Sequence, residues 1–382
     1  MLQTKLLASR SSDSQSDSGR PQGQLSRSEQ SLGIPQDDAL PVEQTLLILV
    51  TMMNQSALAV AVLVASLHMV CRAAADTATA ADGPWTVPIL EIRYFPVTAD
   101  GKKIDINVTS NVGAPLETIR GKCDRMTKEA MTALEEGSRF RAYNNPAAKA
   151  SIKFEVLATE EYLEPLPRNE KKPKFPDYTK ILQREDIRKW VEEKGVKEVW
   201  IWGYHSKDLA PWESNMASPF GDISNSDRDP KDLPILKKTY TVYHYNYERD
   251  TSEAVHNHIH QIEAVMRHHG RELWGIFEGK KGAWRAGNCH FPPNAEHDYD
   301  WTNKRFVDSD IEDWRPEGFG KMKRINCDTW DGDGLKWFVY WMRSIPGADN
   351  GLTYKGRPLT NWWIYMGDYD LAVGKKVGLV ER

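Results

Sequence analysis

At 382 residues, with 40% hydrophobic and 27% charged residues, the chain has the apolar content of a globular protein with a real core, which excludes global disorder. The formal net charge is -4, and Lys and Arg are interspersed with Asp and Glu, so there is no basic excess to attract nucleic acid.

Residues 1–44, which include SSDSQSDSGRPQGQLSRSEQS, are rich in Ser, Gln and Asp and are expected to be a disordered extension. Residues 45–75 follow as a signal peptide or membrane anchor. The apolar run 57–67 has the length of a signal-peptide core, and Ala73, Ala74 and Ala75 suit cleavage. No Lys or Arg lies between Arg27 and Arg72, so the usual positive flank is missing, which initiation at Met52 or Met53 would explain. Joined as one span, 46–70 would be an anchor interrupted by Asn54, Gln55 and Ser56. The expected location is secreted or periplasmic, with membrane contact only through an uncleaved anchor. Cleavage removes Cys71 and leaves Cys123, Cys289 and Cys327, of which Cys289 and Cys327 are a possible pair.

Residues 76–382 read as a single α/β domain, with a possible subdomain split near residue 270. VPILEIRYFPV (87–97) has strand composition, 116–136 spaces Ile119, Met126, Met131 and Leu134 as a helix does, and SIKFEVLA (151–158) returns to strand. A Pro- and Lys-rich loop covers 164–178. ILQREDIRKWVEEKG (181–195) is expected to be a helix closed by Gly195, before the strand VKEVWIWGY. The polar stretch 211–234 is long enough to be a candidate active-site loop. KTYTVYHYNYE (238–248) is a strand, and Asp250, Thr251, Ser252 and Glu253 begin a helix that runs to about Gly270. Beyond Trp274 the chain is rich in Gly, Trp and Asp, with one further helix at 334–345. The expected fold is a mixed β-sheet with packed helices and an irregular, Trp- and Gly-rich C-terminal part. No internal repeat, G-x-S-x-G, P-loop or G-x-G-x-x-G is present.

Within the 251–270 helix, AVHNHIHQIEAVM places His256 and His260 about 40° apart, with Glu263 about 20° to the other side of His256. His258 projects about 200° away, onto another face. The pattern H-x-x-x-H-x-x-E thus offers a divalent metal, zinc first, two imidazoles and a carboxylate that ligates or orients. The competing reading is a solvated or core-bonded histidine face. His290, before Pro292 and Pro293, is a third candidate ligand, while Asp298 and Asp300 are hard donors that leave calcium open. DTWDGDG (328–334) is not an EF-hand loop: with Gly334 at position 6, Thr329 and Tyr340 stand where Asp and Glu are needed. Asp331 or Asp333 as a helix cap explains those acids.

Of the 14 tryptophans, Trp337 and Trp341 share a helix face, whereas Trp212, Trp301 and Trp314 lie among polar residues and are candidates for a sugar-stacking platform. The metal helix resembles the H-E-x-x-H helix of zincin metallopeptidases in part, with Asn257 where that family carries its general base. Glu213, in WESNM, or Glu263 would have to serve instead. The run DYTKIL, EVWIWGYHS, WESNM, YNYERDTSEAVHNHIHQIEAVM, HFPPNAEHDYDW and NWW, over 177–365, resembles a group of exported bacterial proteins, which implies secretion and a shared site but no activity. The resulting expectation is an exported, peptidase-like metallohydrolase. Its rivals are a carbohydrate-binding or cell-surface module with structural histidines, and an exported protein without catalysis. Expected partners are extracellular peptide or glycan.

Overall fold

A computed structural model describes residues 83–226 and 231–382. The expected extension, the signal or anchor segment and Cys71 lie outside the described residues. Among the described residues, no helix is long and apolar enough to cross a membrane.

Five strands form the main sheet: β1 (Trp85–Tyr94), β2 (Ile152–Tyr162), β3 (Glu198–Gly203), β4 (Ser214–Ala217) and β5 (Tyr240–Asn246). Their order is β2-β1-β3-β5-β4, parallel throughout except for the antiparallel edge strand β4. This is the mixed sheet of an α/β protein. Every residue of β3 and β5 is buried, as expected of parallel strands covered on both faces, which is why they lack polar alternation.

Seven α-helices accompany the sheet among the described residues: α1 (Ile106–Thr109), α2 (Leu116–Gly137), α3 (Tyr178–Arg184), α4 (Thr251–Glu278), α5 (Gly334–Met342), α6 (Ile364–Gly367) and α7 (Tyr369–Gly374). Helices α2 and α4 cover the face that carries Glu91, Trp202 and Tyr245. Thr127 donates to Glu91 at 2.6 Å, Trp202 Nε1 donates to Thr127 at 2.9 Å, and the Tyr245 hydroxyl meets His258 Nε2 at 2.6 Å. On the opposite face, Tyr178 of α3 packs edge-on against His244 of β5. Gly203, the last residue of β3, leaves room for His244, whose Nε2 would lie 2.7 Å from a Cβ there.

Three expected elements differ. The helix over 181–195 breaks after Arg184, where Asp186 takes a left-handed conformation, and resumes as a π-turn at Lys189–Glu193; Gly195, also left-handed, closes it as expected. The polar stretch 211–234 contains β4, which is only four residues long and too short to show a strand period. Helix α4 does not end at Gly270. It kinks there and continues, because the missing side chain lets Leu379 pack where a Cβ would be 2.2 Å away, and Leu273, Trp274 and Phe277 then enter the core.

The C-terminal third packs around that continuation. Trp274 and Phe277 contact Trp341 and Trp362, and Trp314 packs on Phe277 and Trp362. Trp314 is therefore a core residue, 1% exposed, and not part of a ligand platform: its polar neighbours in sequence are not its neighbours in space. Asp333 caps α5 by accepting from Lys336 N at 2.8 Å, whereas Asp331 is a left-handed residue ending a 3-10 turn. Cys123, Cys289 and Cys327 are separate buried thiols, so the Cys289 and Cys327 pairing does not form.

Candidate metal centre

Helix α4 begins at the carboxyl end of β5, with Asp250 accepting from Ser252 N at 3.0 Å as its N-cap. Its first turns carry His256 and His260, whose rings meet at 4.3 Å. Asn257, in the position of the zincin base, instead donates Nδ2 to the His244 carbonyl at 2.9 Å and ties the helix to the sheet.

The other half of the site is the loop after the short hairpin Gly279–Lys280 and Ala283–Trp284. Gly287 has φ +75, and a Cβ there would sit 2.2 Å from the Phe291 carbonyl oxygen, so the tight turn requires glycine. Asn288 Oδ1 accepts from the backbone N–H of His290 and Phe291, both at 3.1 Å. Three indoles then fasten the loop. Trp301 and Trp337 donate to the Cys289 carbonyl at 3.2 and 3.1 Å, and Trp341 donates to the Gly287 carbonyl at 3.1 Å. Part of the high tryptophan count therefore serves the site from behind.

His256, His260, Cys289 and His290 each offer one ligand atom, and these atoms all lie within 4.8 Å of one another. This group is able to hold a metal ion. His290 joins as the sequence suggested, and Cys289 joins unannounced; the adjacent Cys-His pair was its only signal. The Nε2 atoms of His256 and His290 face each other at 2.8 Å, an approach that requires a proton or a cation between them.

Carboxylates stand behind two of the three imidazoles. His290 Nδ1 lies 2.9 Å from Asp298, and His260 Nδ1 lies 3.6 Å from Glu263, leaving the Nε2 atoms for the cluster. Such partners fix ring orientation and raise ligand basicity. Glu263 does not converge with the ligand atoms. It accepts from the Cys289 N–H at 2.8 Å and pairs with Arg267 at 3.2 Å, so it joins the two halves of the site. Asp300 accepts from Glu296 N and Asn303 Nδ2, the turn-capping role that explains it without an ion.

Burial, then the neighbouring His260 and His290, hold His256 down to about 3, so its ring is neutral and free to ligate. Burial and His260 lower His290 too. Burial opposes the charge of His260, but Glu263 outweighs it and raises the pKa. Burial also works against the Glu263 carboxylate, and His260 and Arg267 overcome it, leaving its pKa below the usual value. Burial pushes the Cys289 thiol well up, with Glu263 adding to the effect.

The cluster adjoins a cavity of about 880 Å³ at the carboxyl ends of β3 and β5, where open α/β sheets bind ligands. His256, Glu213, Trp212, Trp301 and Tyr299 line it. Tyr299, left-handed at φ +58, lays its ring 4.1 Å from that of His290. Glu213 accepts from Asn225 Nδ2 at 2.6 Å, and its charge acts on His260 and Cys289. One face of Trp212 is covered by Phe175, stacked at 4.4 Å.

No protein-family model and no curated protein sequence matches this chain.

Proposed function

We propose that this chain is an exported metal-dependent hydrolase, peptidase-like, with zinc as its metal. One observation carries the reading: three imidazoles and a thiol converge within 4.8 Å beside a large cavity that also holds a carboxylate, Glu213. Tetrahedral zinc with bonds of about 2.0 to 2.3 Å sets its ligand atoms roughly 3.3 to 3.8 Å apart, so the group needs only small ring movements to fit. Nitrogen and sulfur donors favour zinc over calcium or magnesium. His256 lines the cavity, and Cys289, 1% exposed, closes the back.

A catalytic site leaves one position open, so zinc would be held by three of these four donors, and it would supply Lewis acidity and lower the pKa of a water to about 7. Glu213 is the cavity carboxylate that would accept that water's proton and pass it to the leaving amine, while Trp212 and Trp301 bound the space for the substrate's side chains. Asn257 takes no part as a base, because its amide is committed to the His244 carbonyl.

The test is elemental analysis of the purified protein beside a His256→Ala/His260→Ala double variant, followed by peptide hydrolysis with and without chelator. Near-stoichiometric zinc, lost in the variant together with hydrolysis, supports the reading. Full hydrolysis in chelator overturns it. A second reading, a glycan-binding module, is favoured by Trp212 and Trp301 sharing one cavity. Glycan retention that survives chelation and is lost in Trp212→Ala would select it.

A further inference from the structure

Outside the metal centre, one face of the C-terminal third leaves large apolar side chains in water. It is built on a short antiparallel hairpin, Val307–Ser309 with Lys323–Ile325, in which Val307 pairs with Ile325 and Asp308 with Arg324. Ser309 and Ile325 are buried, so strand alternation turns Phe306, Asp308 and Arg324 outward. Met322 and Phe319, from the connecting loop, line one groove of about 590 Å³ together with Asp308 and with Lys280, Ala283 and Trp284 of the earlier hairpin. Phe306, Phe319 and Met322 are 51%, 67% and 46% exposed. Three such side chains on one face forgo the stabilisation that burial would give each, which marks an interaction surface.

The charges around them are unbalanced. Arg324 lies over the Phe306 ring at 5.1 Å, and Arg285 lies over Phe319 at 4.7 Å. Across 279–285 and 306–324, Arg285, Arg315 and Lys323 are ion-paired, with Asp310, Asp313 and Glu312. Lys280, Lys281, Lys321 and Arg324 are exposed, and their side chains make no hydrogen bond or ion pair to any described residue. The remaining acids of the two segments are Asp308, opposite Arg324, and Glu317. Cations are thus in local excess here, although the chain as a whole has a formal charge of -4.

Apolar side chains ringed by open cations complement an amphiphile with anionic heads. A second copy of the chain fits less well, because a two-fold contact would set cation against cation. We propose that this face docks on a lipid bilayer that contains anionic headgroups. Phe306, Phe319 and Met322 enter the headgroup boundary, and Lys280, Lys281, Lys321 and Arg324 meet the lipid phosphates. Trp284, at the edge of the groove, stacks on Phe291 at 5.3 Å, so docking places the loop that carries His290 close to the bilayer. The surface needs no metal and stands apart from the hydrolase reading.

The experiment is hydrogen exchange read by mass spectrometry, beside co-sedimentation, on the full chain with two kinds of vesicle. One is phosphatidylcholine alone, and the other contains about one-third phosphatidylglycerol. The anionic vesicles should bind about ten-fold or more tighter and should slow exchange in 279–285 and 306–324, an effect lost in about 0.5 M salt. The local reading keeps this face apart from residues 46–70, which as an anchor would enter both lipids alike. Lys280→Gln/Lys321→Gln/Arg324→Gln should erase the slowed exchange. Phe319→Ser/Met322→Ser should weaken binding about ten-fold, and because both side chains are exposed the fold is not at stake. Exchange unchanged in the two segments, slowed equally by neutral vesicles, or slowed undiminished in the triple variant overturns the proposal. The His256→Ala/His260→Ala variant should dock as the wild type does, whether or not hydrolysis is found. Loss of docking there would tie the effect to the metal centre and also overturn it.

Discussion

Two sides of one helix put the same residue type to opposite uses. His258 of α4 turns to the sheet, stacked at 3.7 Å on Tyr243, edge-on to Trp200 and bonded through Nε2 to the Tyr245 hydroxyl. His256, two residues earlier, turns to His260 and His290. Both rings are buried, and burial holds both down to about 3. Exposure and protonation therefore do not distinguish a candidate ligand from a core residue. The company of the ring nitrogen does: a hydroxyl that completes a hydrogen bond on one side, further nitrogen and sulfur lone pairs on the other.

The comparison is most exposed to a metal titration. Zinc supplied at a thousand times its Kd should stabilise the protein by about 4 kcal/mol, read as a raised Tm. The His256→Ala/His260→Ala variant should show no such rise, and a rise retained there would end the distinction. Next in size, His258→Ala should cost about 3 kcal/mol, from the vacated volume and the stranded Tyr245 hydroxyl, while metal content stays at the wild-type level. Metal lost along with stability in that variant would mean that the two sides are not separable.

Glu263→Gln should sharpen the ligand side. Weakening the partner of His260 and the acceptor of the Cys289 N–H is expected to reduce metal affinity ten- to a hundred-fold, about 1.4 to 2.7 kcal/mol, measured by chelator competition. The last prediction belongs to the core side and is read as a slope with pH. Burial pushes Glu198, bonded to Trp200 Nε1 at 2.7 Å, up to about 8. The folded chain therefore holds a proton that the unfolded chain releases near its ordinary value. Stability is fully present below about 4.5 and falls as pH rises through 8, at no more than about 1.4 kcal/mol per pH unit. Glu198→Gln should flatten that slope in denaturant titrations between pH 5 and 8, and an unchanged slope would place the titration elsewhere.

How much of this was legible in the sequence follows from the range of the contacts. The shared face of His256, His260 and Glu263 is a property of helix geometry, and the caps at Asp250 and Asp333 are local chemistry, so both could be read directly. The strands were legible from their β-branched and aromatic content. Cys289 was not, because its place is set by Glu263 reaching its N–H and by Trp301 and Trp337 reaching its carbonyl, none of them near it in sequence. Trp314 misled for the same reason, since its covering residues come from α4 and from the chain beyond α5.

The three indole clamps on the Cys289 loop also set an order of events during synthesis. When α4 has left the ribosome, two imidazoles are available and the loop that completes the set has not been made. Trp337 and Trp341, which hold that loop in place, follow their partners in it by 48 and 54 residues and so emerge later still. The chain can therefore assemble its full set of candidate ligands only late in translation.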